Sequence, residues 1–373
     1  MAPPIDRPLP PGRDSAVTVE TTHQDFVRAG IPDVVSGRLL GVNGDVVHSM
    51  HLDQGREVRY RSHRVQPESR TDGATTGIIV FGGAILAFRN GSLGHQLSSS
   101  LDTLVPVDLA GQSRPLSACP KRDHLNGDLH LLAIAPDGSQ VHVVVSSGAF
   151  TRRNRPIIDP PNRVRDVAIA GDHVLFASDG FLGIGARDLG VGVRWIPTGV
   201  EAPALVHAHS TDDTVVAITV TPSLERWQVH PASLSVHREV LDPAPRRFSR
   251  TNHHVHDTAR QLLWTIGDRT VDTYDLATGR HVQLHVGHGH PGDLAFVADP
   301  ARAHDPDGGW LVGFVHDASR HDAELVVLDA ADISRPAVAA ARVPQPIPVD
   351  LHIAWIPESA NSHDKEPDDA HHL

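Results

Sequence analysis

Gln261-Leu262-Leu263-Trp264-Thr265-Ile266-Gly267-Asp268-Arg269-Thr270-Val271-Asp272-Thr273-Tyr274 is the stretch whose reading decides the fold class. An apolar, β-prone run meets Gly267-Asp268, which supplies turn chemistry, and a second β-prone run follows; this is the pattern of a hairpin. Working outward, the same unit recurs. His130–Ala135 turns at Pro136-Asp137-Gly138 into Val141–Val145. Asp166–Ile169 turns at Ala170-Gly171-Asp172 into Val174–Phe176, and Trp310–Val315 is answered by Glu324–Leu328. No stretch sustains an apolar period near 3.6, so long helices are not expected. Recurrent hairpins of similar spacing predict an all-β propeller, sandwich or barrel, and repetition alone does not choose among the three.

Composition narrows the partners. A chain of 373 residues has ample length for a large core. Its formal net charge of −12 argues against nucleic acid, whose phosphates need a basic surface, and against docking on an anionic membrane face. Cys119 is the single cysteine, which permits no disulfide within the chain and is compatible with a reducing compartment. The opening Met1-Ala2-Pro3-Pro4-Ile5-Asp6-Arg7-Pro8 lacks an apolar signal core, and residues 1–22 read as a disordered, proline-rich arm. The longest apolar run, Thr75 to Phe88, is too short to span a bilayer and is broken by Gly82-Gly83. The expectation is a cytoplasmic protein with one folded unit over residues 23–357 and a disordered polar tail over 358–373.

Several segments in order carry a resemblance. Gly292-Asp293-Leu294-Ala295-Phe296-Val297-Ala298-Asp299-Pro300 is followed by Asp307-Gly308-Gly309-Trp310-Leu311, and Leu351-His352-Ile353-Ala354-Trp355 comes later. Cys119-Pro120-Lys121-Arg122-Asp123, Val164-Arg165-Asp166-Val167 and Leu205-Val206-His207-Ala208-His209 lie upstream. Together they resemble the carotenoid cleavage oxygenases, with their G-E-P-x-F-V-P-R-P, F-H-G-x-W, A-H-P-K-x-D, M-H-D-F and F-H-x-x-N-A motifs. The resemblance implies a seven-bladed β-propeller. It implies four axial histidines holding a non-haem Fe(II) that splits a conjugated double bond of a carotenoid or apocarotenoid with dioxygen. The missing segment after Gly30-Ile31-Pro32 leaves room for one reduced blade.

Carried over by motif, the metal positions are His207 and His352, with Cys119 and Arg165 standing where the family has histidine. The motif match is looser there, and His209 is an alternative to His207. Asp293 and Asn90 fall where family glutamates orient the ligand imidazoles. Arginine cannot ligate, and about 4 Å from a divalent ion, at an effective dielectric of about 20, it is repelled by roughly 8 kcal/mol. One arrangement places Arg165 on the axis as a fixed cation paired with Asp293 or Asp350. Another turns it outward, leaving Cys119, His207 and His352 as a three-ligand set suited to zinc. Iron held by fewer histidines, with His209, His124 or His173 recruited, is a third. The function implied is ancestral oxygenase activity that is impaired or lost; the alternative is a catalytically dead propeller binding an apolar ligand or a protein partner. The other histidine groups, Asn252-His253-His254-Val255-His256-Asp257 and His288-Gly289-His290, read as solvated loop residues among the 27 histidines of the chain.

Overall fold

The computed structural model describes residues 19–358 apart from short segments, the longest being 65–74, 108–119 and 253–261. The hairpins read from the sequence are present: Leu129–Ile134 with Gln140–Val145, Val164–Ala170 with His173–Ser178, Leu262–Ile266 with Thr270–Asp275, and Gly309–Asp317 with Asp322–Asp329. Gly82 and Gly83, at φ of 57° and 81°, turn Thr75–Phe81 into Ala84–Arg89, the double positive φ that a tight hairpin needs. Apart from a 3-10 turn at Pro300–Arg302, all regular structure among the described residues is strand.

The strands form seven antiparallel sheets of four or five strands. In chain order the blades begin with inner strands Thr75–Phe81, Lys121–Arg122, Val164–Ala170, Ala204–Ser210, Arg247–Thr251, His290–Ala298 and His352–Pro357. Each inner strand from blade 2 onward touches that of the next blade, and blade 7 returns to blade 1. The chain is a seven-bladed β-propeller. Blade 7 is composite: His352–Pro357, near the C-terminal end, pairs with Gly37–Asn43 from the N-terminal part. No blade is reduced. The short N-terminal part still supplies three of the strands in blade 7, and Val19–His23 adds a fifth on its outer edge. That strand begins inside the segment read as a disordered arm. Phe26–Arg28 likewise extends blade 6.

The core is distributed. Seven hydrophobic clusters lie one at each blade interface, from the cluster around Phe81, Phe88 and Leu131 between blades 1 and 2 to that around Leu40, Val42 and Ile85 between blades 7 and 1. Leu131 packs toward blade 1 and its neighbour Leu132 toward blade 3. Both faces of a middle strand are therefore buried, which explains why the strands read as continuous apolar runs and not as strict alternation. Trp264 of blade 5 stacks on Phe296 of blade 6 at 5.2 Å.

Candidate functional site

The inner strands surround an axial tunnel of about 1310 Å³, to which all seven blades contribute. Its wall is mostly apolar: Ile78, Leu205, Val206, Phe248, Phe296 and Trp355 are examples. Set into that wall are His207, His352, Lys121, Arg122, Arg246 and Arg250, with Asp123, Asp166 and Glu358.

Two matched clasps organise the polar part. In the first, Lys121 of blade 2 donates to the carbonyl of Leu205 in blade 4 at 2.9 Å and lies 3.4 Å from Asp166 of blade 3. Asp166 in turn accepts from the Leu205 amide at 2.9 Å and from the Val167 amide at 2.8 Å. In the second, Arg250 of blade 5 is ion-paired to Asp293 of blade 6 and donates to the carbonyls of Leu294 and Ile353. Asp293 accepts from the amides of Leu294 at 2.9 Å and of Ile353, in blade 7, at 3.2 Å. Each clasp thus joins three consecutive blades through a cation, a buried carboxylate and a backbone amide. Burial is the largest influence on both carboxyls and raises their pKa above the ordinary range, while Lys121 and Arg250 oppose it. Of these residues the sequence reading singled out only Asp293. Lys121 and Asp166 lay inside the quoted motifs, beside Cys119 and Arg165; nothing in the sequence marked Arg250.

Inner strands carry a register shift near their start in blades 1, 3, 4, 5 and 6, and the residue left over is Arg165 in blade 3, Val206 in blade 4 and Phe248 in blade 5, with Gly292 and Asp293 left over in blade 6. Bulges re-aim side chains and gather at sites. In blade 3 the bulge sends Arg165 away from the axis. Its guanidinium binds both oxygens of Asp179 at 2.7–3.0 Å, and its side chain is 51% exposed. This corrects the expected pairing with Asp293 or Asp350: Asp293 is held by Arg250, and Asp350 lies 3.4 Å from Arg247. By bulge position the blade-4 equivalent of Arg165 is Val206, one residue before His207.

His207 and His352 both line the tunnel. The His207 ring stacks against His209 at 5.5 Å. His352 meets the edge of Phe248 at 5.3 Å, and burial lowers its pKa, with Asp293 and Asp350 raising it and Arg250 lowering it further. Asp293 therefore acts on His352 through its charge, while its oxygens are occupied by Arg250 and backbone amides. Cys119, Asn90 and His124 lie outside the described residues, and His173 and His209 are not among the tunnel-lining side chains. An all-histidine iron centre needs four converging imidazoles. With Arg165 turned onto Asp179, the described residues do not fit one, and no group of three or more His, Cys, Asp or Glu among them is placed to hold a metal.

Comparison with known proteins agrees with this architecture. Residues 195–357 match the family model described as retinal pigment epithelial membrane protein. The apocarotenoid-15,15'-oxygenase of Synechocystis is 28% identical over 142 residues, 35% of this chain and 29% of that protein. A carotenoid cleavage oxygenase of Mycobacterium tuberculosis is 26% identical over 153 residues, 36% of this chain and 29% of that protein. The C-terminal part of the chain thus resembles the carotenoid cleavage oxygenases. These alignments span less than a third of either relative. Structural likeness extends further: a mutant of Synechocystis apocarotenoid oxygenase superposes with a TM-score of 0.79 at 18% identity, covering 91% of this chain and 96% of that one. A chimera of that enzyme with RPE65 gives 0.80 at 18% identity, over 91% and 95–96% of the chains in its solved forms. A cobalt-substituted form of the Synechocystis enzyme gives 0.78 at 18% identity, again over 91% and 96%. That relative therefore holds a metal. No helix among the described residues of the present chain is long and apolar enough to cross a membrane.

Proposed function

We propose that this carotenoid-oxygenase-family propeller binds an apolar, carotenoid- or apocarotenoid-like molecule in its axial tunnel and has lost the Fe(II)-dependent cleavage of a conjugated double bond. The observation that carries the reading is the direction of Arg165. It stands at a histidine ligand position by motif, yet its guanidinium faces Asp179 and not the tunnel, so the axis gains neither an imidazole nor a cation there. His207 and His352 remain on the wall, too few to hold iron as four imidazoles do. The apolar wall and a volume above that of ordinary small-molecule pockets, roughly 300–1,000 Å³, suit an extended hydrocarbon.

The test is metal content by mass spectrometry on tag-free protein supplied anaerobically with Fe(II), beside a His352→Ala control. The expected result is far less than one iron per chain in both samples. Near-stoichiometric iron that disappears in the control would overturn the reading and restore an oxygenase.

A further inference from the structure

We infer that the ligand of the tunnel is an amphipath, an apolar chain ending in a carboxylate whose head lies on Arg250; the inference rests on the tunnel being a ligand site. The first observation is where the charges sit. In both clasps the cation is the more exposed member and the anion the more buried one. The Arg250 side chain is 37% exposed while that of Asp293 is 0%, and that of Lys121 is 30% exposed against 10% for Asp166. Asp123 is bound by Arg187 from outside the tunnel, and Arg122 has no ionic partner among the described residues. In a chain with a formal net charge of −12, the accessible groups of this belt are hydrogen-bond donors.

The second observation is spare donor capacity. Arg250 spends Nε on Leu294 and one terminal nitrogen on Asp293 and Ile353; among the described residues nothing bonds its other terminal nitrogen. Guanidinium presents a planar fork that suits a carboxylate. His352 stands close enough to feel the Arg250 charge, and a neutral imidazole there can add a further N–H.

The third is Phe248. Its φ of 34° is a left-handed conformation that a bulky residue rarely adopts, at a bulge that turns its ring onto His352 and into the tunnel. Strain of this kind persists where the surroundings impose it and gathers at ligand sites. It places an aromatic surface beside the cationic head site. The opposite end of the blade-7 inner strand carries Glu358, bound to Ser36, about 20 Å from His352 at strand rise. A donor belt at one end and a carboxylate at the other fix the direction in which an anionic amphipath enters.

The experiment compares two conjugated polyenes that differ at the terminal group, all-trans-retinoic acid and all-trans-retinol, by quenching of tryptophan fluorescence, to which Trp355 on the tunnel wall contributes. The acid is expected to bind the wild-type protein at least about 10-fold more tightly, and Arg250→Gln to bring the two level. Because Arg250 also ties three strands together, the variant's fold is checked by circular dichroism, and the wild-type ratio decides on its own. Equal affinities, or a preference for the alcohol, overturn the carboxylate assignment and leave the tunnel reading standing. A preference for the acid that survives in folded Arg250→Gln removes Arg250 as its seat. Binding of neither molecule overturns the tunnel reading together with the inference.

Discussion

Arg165 and His316 show how differently two polar side chains on inner or adjoining strands are treated. Arg165, half exposed and paired with Asp179, belongs to the class of surface ion pairs that contribute little to stability. His316 is buried beside the inner strand of blade 6, where burial above all lowers its pKa to about 4, with donation to the backbone carbonyl of Ile347 opposing and Arg247 assisting. His48, hydrogen-bonded to Tyr60 at 2.8 Å, is lowered to about 4 by burial as well. A folded-state pKa below that of the unfolded chain means that the unfolded chain takes up the proton first as pH falls. The contribution of each histidine is thus complete above about pH 6.5 and is lost toward pH 4, worth up to about 3 kcal/mol apiece. Melting temperature is expected to be level above pH 7 and to fall between pH 6.5 and 4. In His316→Gln that fall should be shallower; an unchanged slope would show that His316 does not titrate in this window.

At the scale of elements, the inner strands are held by more than their own ladders. A propeller's inner strands each have one sheet edge facing the axis, where no further strand can pair. Here the carboxylates of Asp166 and Asp293 take up amides of Leu205 and Ile353, and Lys121 and Arg250 take up the carbonyls of the same residues. The clasps span blades 2 to 4 and 5 to 7, leaving blade 1 to be held by its flanking apolar clusters. Replacing Asp166 by Asn keeps the shape but removes the charge opposite Lys121 and one of the acceptor oxygens. Discounted for the partial exposure of Lys121, the loss is expected to be about 1–3 kcal/mol in urea unfolding. A midpoint shift too small to resolve would show that the clasp is incidental to the fold.

The whole molecule is closed by its ends. His352–Pro357 supplies the inner strand of a blade whose other strands begin near residue 19, so the ring closes across more than 300 residues of sequence. Without it, Leu39, Leu40 and Val42 lose the strand that covers them, and the apolar interfaces of blade 7 with blades 1 and 6 open. A chain ending at Asp350 is expected to fail as a cooperative fold, seen as a broad melt by circular dichroism and as aggregation on gel filtration. A sharp transition at the wild-type temperature would mean that six blades close without it. By itself the sequence determined the hairpins and the family motifs. Turn chemistry and β-prone runs are local, and Asp293 and His352 stand in contiguous motifs that can be matched by reading along the chain. The blade number followed from the family resemblance, and the absence of a reduced blade waited on the pairing of strands from opposite ends. Tertiary structure alone decided the direction of Arg165, because a one-residue bulge reverses the side a residue faces without altering the motif around it. It alone revealed Arg250, whose carboxylate partner lies 43 residues away in sequence and whose value comes from meeting Asp293 and Ile353 at one point on the axis.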